Sequence, residues 1–397
     1  MAAQIKNFYY TTRKWFLAFG MLTSWPIFWF LIRRRKAYFA KNPSLRILII
    51  PQLTRIGDVV CATPVFRSIK EQYPDSFIAV LVTSRIFELL KHNPNIDEII
   101  QFRTSHFMNM LRIIRSKKFN WSMSLSGTMI TTIIAVWSLI PGRAKITRQD
   151  KPLGERLTDW LIPDKLLYHH HTYLPKYYLK LLKYLNINHP EEIRQVFTTI
   201  SGDEIIKKWL FKKGISDSDL LVGISIAAQN RIKEWGDEKF KEVAKYINRK
   251  YKGKIIFLGI KKDESRIMNV LKNLDPNYFF MATDFTLEEL PSLIKRLNVY
   301  IAVDTGPIYI AHALKVPLID ITGPCDPYEQ PPNDKISIQV RPPEYIEPSS
   351  FVMKKAGKDE EHKKALAATS IESVEGAIDQ LMKNLKKKLA KVRRNGE

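Results

Sequence analysis

Three short segments gather small and polar residues where an apolar run gives way to an amphipathic one. The first is Leu53-Thr54-Arg55-Ile56-Gly57-Asp58. Gly57 allows a tight turn, and Asp58 falls at the start of the following helix. There the free N–H groups and the helix dipole favour a carboxylate. Asp58 reads either as a helix cap or as a general base. The second is Ile226-Ala227-Ala228-Gln229-Asn230-Arg231-Ile232-Lys233-Glu234-Trp235. A loop of small and polar residues with Arg231 and Lys233 can hold an anionic diphosphate, the lysine as a mobile point charge and the backbone amides as donors. A solvated charged loop has the same composition. The third is Val303-Asp304-Thr305-Gly306-Pro307. Thr305, Gly306 and the amides beyond them can seat a phosphate at a helix N-terminus, or simply punctuate a strand–helix turn. Gly323-Pro324-Cys325-Asp326-Pro327 reads as a rigid turn after the last strand of the series.

Other chemistry is disfavoured. Asp217-Ser218-Asp219 has metal-ligand spacing but precedes a strand, on the wrong edge of a sheet. His169-His170-His171 cannot all face one ion from a regular element. No metal site is therefore expected. No Gly-rich dinucleotide fingerprint follows either leading strand.

The elements that must position these segments alternate. Apolar runs at Arg46–Pro51, Phe77–Thr83, 98–102 and 121–125 read as strands. Amphipathic stretches at Val59–Tyr73, from Ser84 onward and over Phe107–Lys117 read as helices between them. From 150 to 219 the pattern is more helical and less regular. Strands then return at 220–226, 254–258, 299–303 and 317–321, with helices over 238–250, 264–274, 287–297 and 306–314. Alternation of this kind signals parallel α/β sheets. Two such series predict two Rossmann-like, doubly wound domains facing a cleft, with ligands at the carboxyl ends of the strands. The expected boundaries are a membrane anchor over 1–44, an acceptor domain over 45–185, a linker over 186–219, a donor domain over 220–369 and a helical basic tail over 370–397.

The net charge of +23 is concentrated at the ends. Residues 1–41 contain eight basic residues and no acid. Inside them, Trp15–Ile32 is an 18-residue uncharged run rich in aromatics. As a helix it would be about 27 Å long, near the lower limit for a membrane span. Arg33 to Lys36 follow at once, and Pro26 would kink a spanning helix or separate two interfacial ones. The run is expected to attach the protein to a membrane, either by crossing it or by lying in the interface. The following basic cluster would leave the globular body on the cytoplasmic face of the inner membrane. Positive charge beside an apolar segment favours an anionic lipid surface over nucleic acid. Two cysteines far apart, Cys61 and Cys325, argue against a disulfide framework.

The sequence resembles glycosyltransferase family 9, the heptosyltransferase family of lipopolysaccharide synthesis. The resemblance rests on RILIIPQLTRIGDVVCATPVFRSIKEQYP, NPNIDEII, VGISIAAQNRIKEWGDEKF, AVDTGPIYIAHAL and DITGPCDP, in order between about residues 45 and 330. It implies a GT-B-like pair of domains and an inverting, metal-independent transfer. The donor would be a sugar nucleotide, by default ADP-heptose, used as co-substrate with no cofactor, and the acceptor a membrane glycolipid. By position Asp58 matches the catalytic base, and Lys233 the lysine that neutralises the leaving diphosphate. Asp304, Thr305 and Gly306, with Pro307, match the donor-binding turn. Asp263 or Glu264 falls where members place an acid on the nucleotide ribose. The pattern departs from the family at Tyr309, where a histidine is usual, with His312 one helical turn further on. It also departs at Ser225-Ile226-Ala227-Ala228, at Cys325 in place of a threonine, and in the added N-terminal segment. The alternatives are a catalytically silent membrane-bound subunit of a glycolipid assembly complex and a sugar-nucleotide epimerase.

Overall fold

The run Arg46–Ile50 (β1) is almost wholly buried, as a strand covered on both faces must be. In the computed structural model, which describes residues 2–41, 44–350, 352 and 359–395, it is the first of twelve strands. Glu397, the one acid of the basic C-terminal cluster, lies outside the described residues. The chain divides into two units, Met1–Ile193 and Arg194–Glu397.

The first unit holds β1, β2 (Phe77–Val82), β3 (Glu98–Gln101), β4 (Trp121–Ser124), β5 (Gly142–Arg148) and β6 (Asp164–Tyr168). They pair in parallel in the order β3-β2-β1-β4-β5-β6. The second unit holds β7 (Leu221–Ser225), β8 (Lys254–Leu258), β9 (Phe279–Ala282), β10 (Val299–Val303), β11 (Leu318–Ile321) and β12 (Ser337–Val340). Its parallel order is β12-β11-β10-β7-β8-β9. The two orders are the same topology. In each, the chain reverses its direction of winding between two central strands, β1 and β4 or β7 and β10. At such a switch point the connections leave on opposite faces and open a crevice at the carboxyl ends of the strands. Two Rossmann-like parallel sheets, as the alternation predicts, are therefore present.

Four strands are missing from the sequence expectation: β5, β6, β9 and β12. Two of them, β9 and β12, have only four residues. β5 carries Arg143 and Lys145 within a buried strand. The Lys145 side chain is fully buried. It is tolerated because its ammonium lies 2.7 Å from Asp159, which Lys151 also meets at 2.5 Å. Burial would raise the Asp159 pKa, but Lys145 and Lys151 together hold it below the usual carboxylate range.

The N-terminal segment is one 40-residue helix, Ala2–Lys41, running through Pro26 without a break. The spanning reading is corrected: among the described residues no helix is long and apolar enough to cross a membrane. Nor does Pro26 separate two helices. The reason is packing. Met21 and Ile32 sit in a core with Met129, Ile133, Val136 and Leu161, and Trp25 and Phe28 pack against it. Arg35 donates to the carbonyls of Ser138 at 3.1 Å and Arg115 at 3.0 Å. Much of the apolar run thus serves the first unit's own core. At the other end of the chain, Val374, Ala377, Ile378 and Leu381 of helix Ile371–Asn395 join the core of the second unit.

Removing one partner of a buried ion pair leaves an uncompensated charge. Asp159→Asn should therefore lower stability by about 3 kcal/mol. A denaturant midpoint equal to that of the native protein would contradict this account of β5.

Candidate active site

The switch point of the second sheet assembles Lys233, Asp304, Thr305, Gly306, Pro307 and Tyr309. β7 and β10 are direct neighbours, with Ala302 opposite Ser225. The loop leaving β7 makes a 3-10 turn, Arg231–Lys233. Asn230 accepts from the Ile232 amide at 3.4 Å, and Glu234 accepts from the Ala228 amide at 3.1 Å. Arg266 braces Glu234 from outside at 2.9 Å. These contacts aim Lys233 at the end of β10. Its ammonium lies 2.7 Å from the Asp304 carboxylate and 3.4 Å from the Asp304 carbonyl.

Asp304 also accepts a 2.7 Å hydrogen bond from the Tyr309 hydroxyl, one turn into helix Gly306–Ala313. Burial would raise the Asp304 pKa, but Lys233 and then Tyr309 hold it below its ordinary value. Burial alone would likewise depress Lys233, but Asp304 carries it above its ordinary value. The pair is thus fully ionised at neutral pH. The Cys325 thiol lies against it, raised well above its usual pKa by burial. Gly323, which starts that turn, has φ +55, and a Cβ there would meet Leu366 at 2.5 Å. The turn that carries Cys325 inward therefore requires glycine.

Beside the pair, Thr305 precedes the helix Gly306–Ala313 and makes no side-chain cap. Its hydroxyl is buried without a hydrogen-bond partner. Pro307 occupies the first turn, where a missing N–H costs nothing. The result is a cation, a free hydroxyl and a helix N-terminus at one switch point, which is the donor set for a phosphate or diphosphate.

Asp58 is the third residue of helix Ile56–Gln72 and is buried, just after Gly57. Tyr178, on helix Leu174–Lys180, donates to its carboxylate at 3.4 Å. Burial first, then the neighbouring Asp58 and Cys61, push the Tyr178 phenol well above its ordinary pKa. It remains a donor, oriented on a carboxylate that ends up at the switch point of the first sheet.

Other predicted residues lie apart. Gln229, Asn230 and Arg231 are exposed on the β7 loop. Asp263 accepts from the Ile260 amide at 3.1 Å, and Glu264 pairs with Lys261 at 2.7 Å, both after β8. His312 meets Asp334 at 3.0 Å rather than Asp304. Burial, then Arg194, lower its pKa. Of the residues rejected as metal ligands, Asp217 pairs with Arg296 and Asp219 with Lys254. Among the described residues no cluster of three or more His, Cys, Asp or Glu could hold a metal ion.

Three site residues escape the sequence reading. Tyr178 lies in an aromatic stretch with no local signal of its partner. Arg194, buried, stands with its guanidinium 5.8 Å from the Tyr309 ring centroid. Asp320 is fully buried on β11, with neither carboxylate oxygen hydrogen-bonded. An acid between Ile319 and Ile321 in an apolar strand was the available signal. Burial, then the Asp304 charge, push Asp320 well above the carboxylate range, so it is held neutral.

Comparison with known proteins agrees with this architecture. The profile of glycosyltransferase family 9 (heptosyltransferase) matches residues 192–358. Lipopolysaccharide heptosyltransferase 3 of Escherichia coli is 24% identical over 298 residues, covering 68% of this chain and 81% of that protein. A family 9 glycosyl transferase from Veillonella parvula superposes with a TM-score of 0.71 at 22% identity, over 86% of this chain and 97% of that one. The E. coli heptosyltransferase WaaC, solved with ADP-2-deoxy-2-fluoro heptose, gives 0.61 at 16% identity, over 85% and 99%.

The neutral Asp320 has a pH signature. Its folded pKa is raised, so the native state holds a proton that the unfolded chain releases near pH 4. Its contribution to stability is fully present below that pH and is lost as pH rises toward the folded value. Asp320→Asn removes this slope. The Tm of the variant relative to the native protein should climb from pH 4 to pH 7; a constant difference would show that Asp320 is ionised in the fold.

Proposed function

We propose that the chain is a glycosyltransferase of family 9, an inverting, metal-independent heptosyltransferase acting on a membrane glycolipid in lipopolysaccharide core synthesis. ADP-heptose is the proposed donor, bound as co-substrate. The protein would work at the cytoplasmic face of the inner membrane, where such acceptors present their sugars. The single observation that carries the reading is the Lys233–Asp304 pair beside the unpartnered hydroxyl of Thr305. It places a largely buried ammonium next to a helix N-terminus at a topological switch point.

In the proposed reaction Asp58 takes the proton from the acceptor hydroxyl as that oxygen attacks the anomeric carbon. The new glycosidic bond forms as the bond to the donor phosphate breaks, on the opposite face of the ring. The departing ADP takes the electron pair. Its negative charge is met by Lys233, Thr305 and the amides that open helix Gly306–Ala313. Preorganised donors of this kind stabilise a developing oxyanion without reorganisation at the moment of reaction. Tyr309 holds Asp304, and so fixes where Lys233 rests before the donor arrives. Asp263 or Glu264 is assigned to the nucleotide ribose.

Steady-state assays with ADP-heptose and a lipopolysaccharide core acceptor test these roles. Asp58→Asn should lower kcat by about a hundredfold or more, the usual loss of a general base. Lys233→Ala should lower kcat/KM by a similar factor. Native turnover in both variants would remove the role assignments. A chelator should leave the rate unchanged. Failure to bind any nucleotide sugar in calorimetry would favour a silent subunit, and product formed from donor alone would favour an epimerase.

A further inference from the structure

The N-terminal helix is apolar on two opposite sides. At about 100° per residue, Met21, Trp25, Phe28 and Ile32 make one narrow stripe. That stripe packs into the core of the first unit. Phe16, Phe19, Ile27 and Phe30 fall on the opposite side, and each is more than half exposed. A helix that needs only one face for its core normally carries charged residues on the other. Next to it, Leu153, Leu157 and Trp160 recur at spacings of four and three, and all are exposed. Trp160 stands edge-on to Trp25, ring centroids 5.3 Å apart, so this segment is seated against the flank of the helix.

The charge on the helix itself has one sign. Arg33 lies 5.3 Å over the Trp29 ring and Arg34 5.8 Å over the Phe30 ring. Residues 1–41 contain no Asp or Glu. The acids of the adjoining segment are engaged inward, Glu155 on Arg148 and Asp159 on Lys145 and Lys151. A soluble protein rarely leaves so many large apolar side chains together on its surface. Aromatic rings bordered by arginines suit the headgroup layer of an anionic bilayer, with apolar bodies below the phosphates and guanidiniums beside them.

We infer that Phe16, Phe19, Ile27 and Phe30, together with Leu153, Leu157 and Trp160, form the surface on which the first unit rests on an anionic bilayer, with Arg33 and Arg34 on the lipid phosphates. The helix lies in the membrane plane, because its other stripe is packed against protein. The inference deepens the reading of a glycolipid-dependent enzyme and rests on it for its purpose.

Co-sedimentation of the full chain with vesicles of phosphatidylcholine, with or without phosphatidylglycerol, tests it. The native protein should bind the anionic vesicles and bind them more weakly as salt rises. Ile27→Ser with Phe30→Ser, and separately Leu157→Ser with Trp160→Ser, should each weaken binding about tenfold or more. Arg33→Gln with Arg34→Gln should weaken binding only where phosphatidylglycerol is present. Unchanged binding in the two serine variants overturns the inference. So does a native dimer, seen by light scattering, that the Trp160 variant abolishes, since the surface would then join two copies. Transfer to a lipid-free acceptor sugar is the separate readout. It should survive all three variants, and its absence from the native protein would count against the enzymatic reading and not against the surface.

Discussion

The contact between Lys233 and Asp304 is the constraint on which the rest of the candidate site depends. It ties the loop leaving β7 to the end of β10, the two strands between which the second sheet reverses its winding. Both groups are largely removed from water. A buried charge is tolerable only when it is matched, so each fixes the other's position. The neighbours follow from that match. Tyr309 completes the hydrogen bonding of Asp304, and Cys325 fills the space beside it. Asp320 stays protonated first because it is buried, and then because of the Asp304 charge.

The same topology is put to two electrostatic uses. In the first unit, the loop at the switch point presents a carboxylate, Asp58, oriented by a neutral phenol. In the second it presents an ammonium and a helix N-terminus. In the proposed reaction the carboxylate would serve proton removal, and the ammonium and helix N-terminus would serve diphosphate release. The resemblance to family 9 implies a histidine where Tyr309 stands. The tyrosine there still meets Asp304 through its hydroxyl, so the departure changes the residue and leaves the aspartate hydrogen-bonded.

The N-terminal helix shows how an apolar run can mislead when its two faces are not separated. Eighteen uncharged residues read as a span because hydropathy sums over the whole circumference. In the structure one stripe is consumed by the first unit's core, and the other stands free. A helix with protein along one side cannot be ringed by lipid, which is why the spanning reading fails while an interfacial one remains physically sound.

Alternating strand and helix patterns, the three strand-to-helix turns and the uneven charge were all readable from the chain. They are local, and local periodicity determines element type and the end of the strand at which a loop sits. Asp58, Lys233 and Asp304 were visible for that reason. The strand β5 was not, because its buried lysine breaks the apolar pattern and is explained only by Asp159, which lies beyond the strand in sequence. Tyr178 and Arg194 were likewise hidden, and Asp320 showed only as an acid within an apolar strand. Their roles come from contacts between segments far apart in the chain. Which residue types stand at the ends of which strands can be read along the chain. Which charges face one another follows from packing alone. Burial makes an unmatched charge costly, and burial is a property of the packed fold that no local stretch of sequence carries.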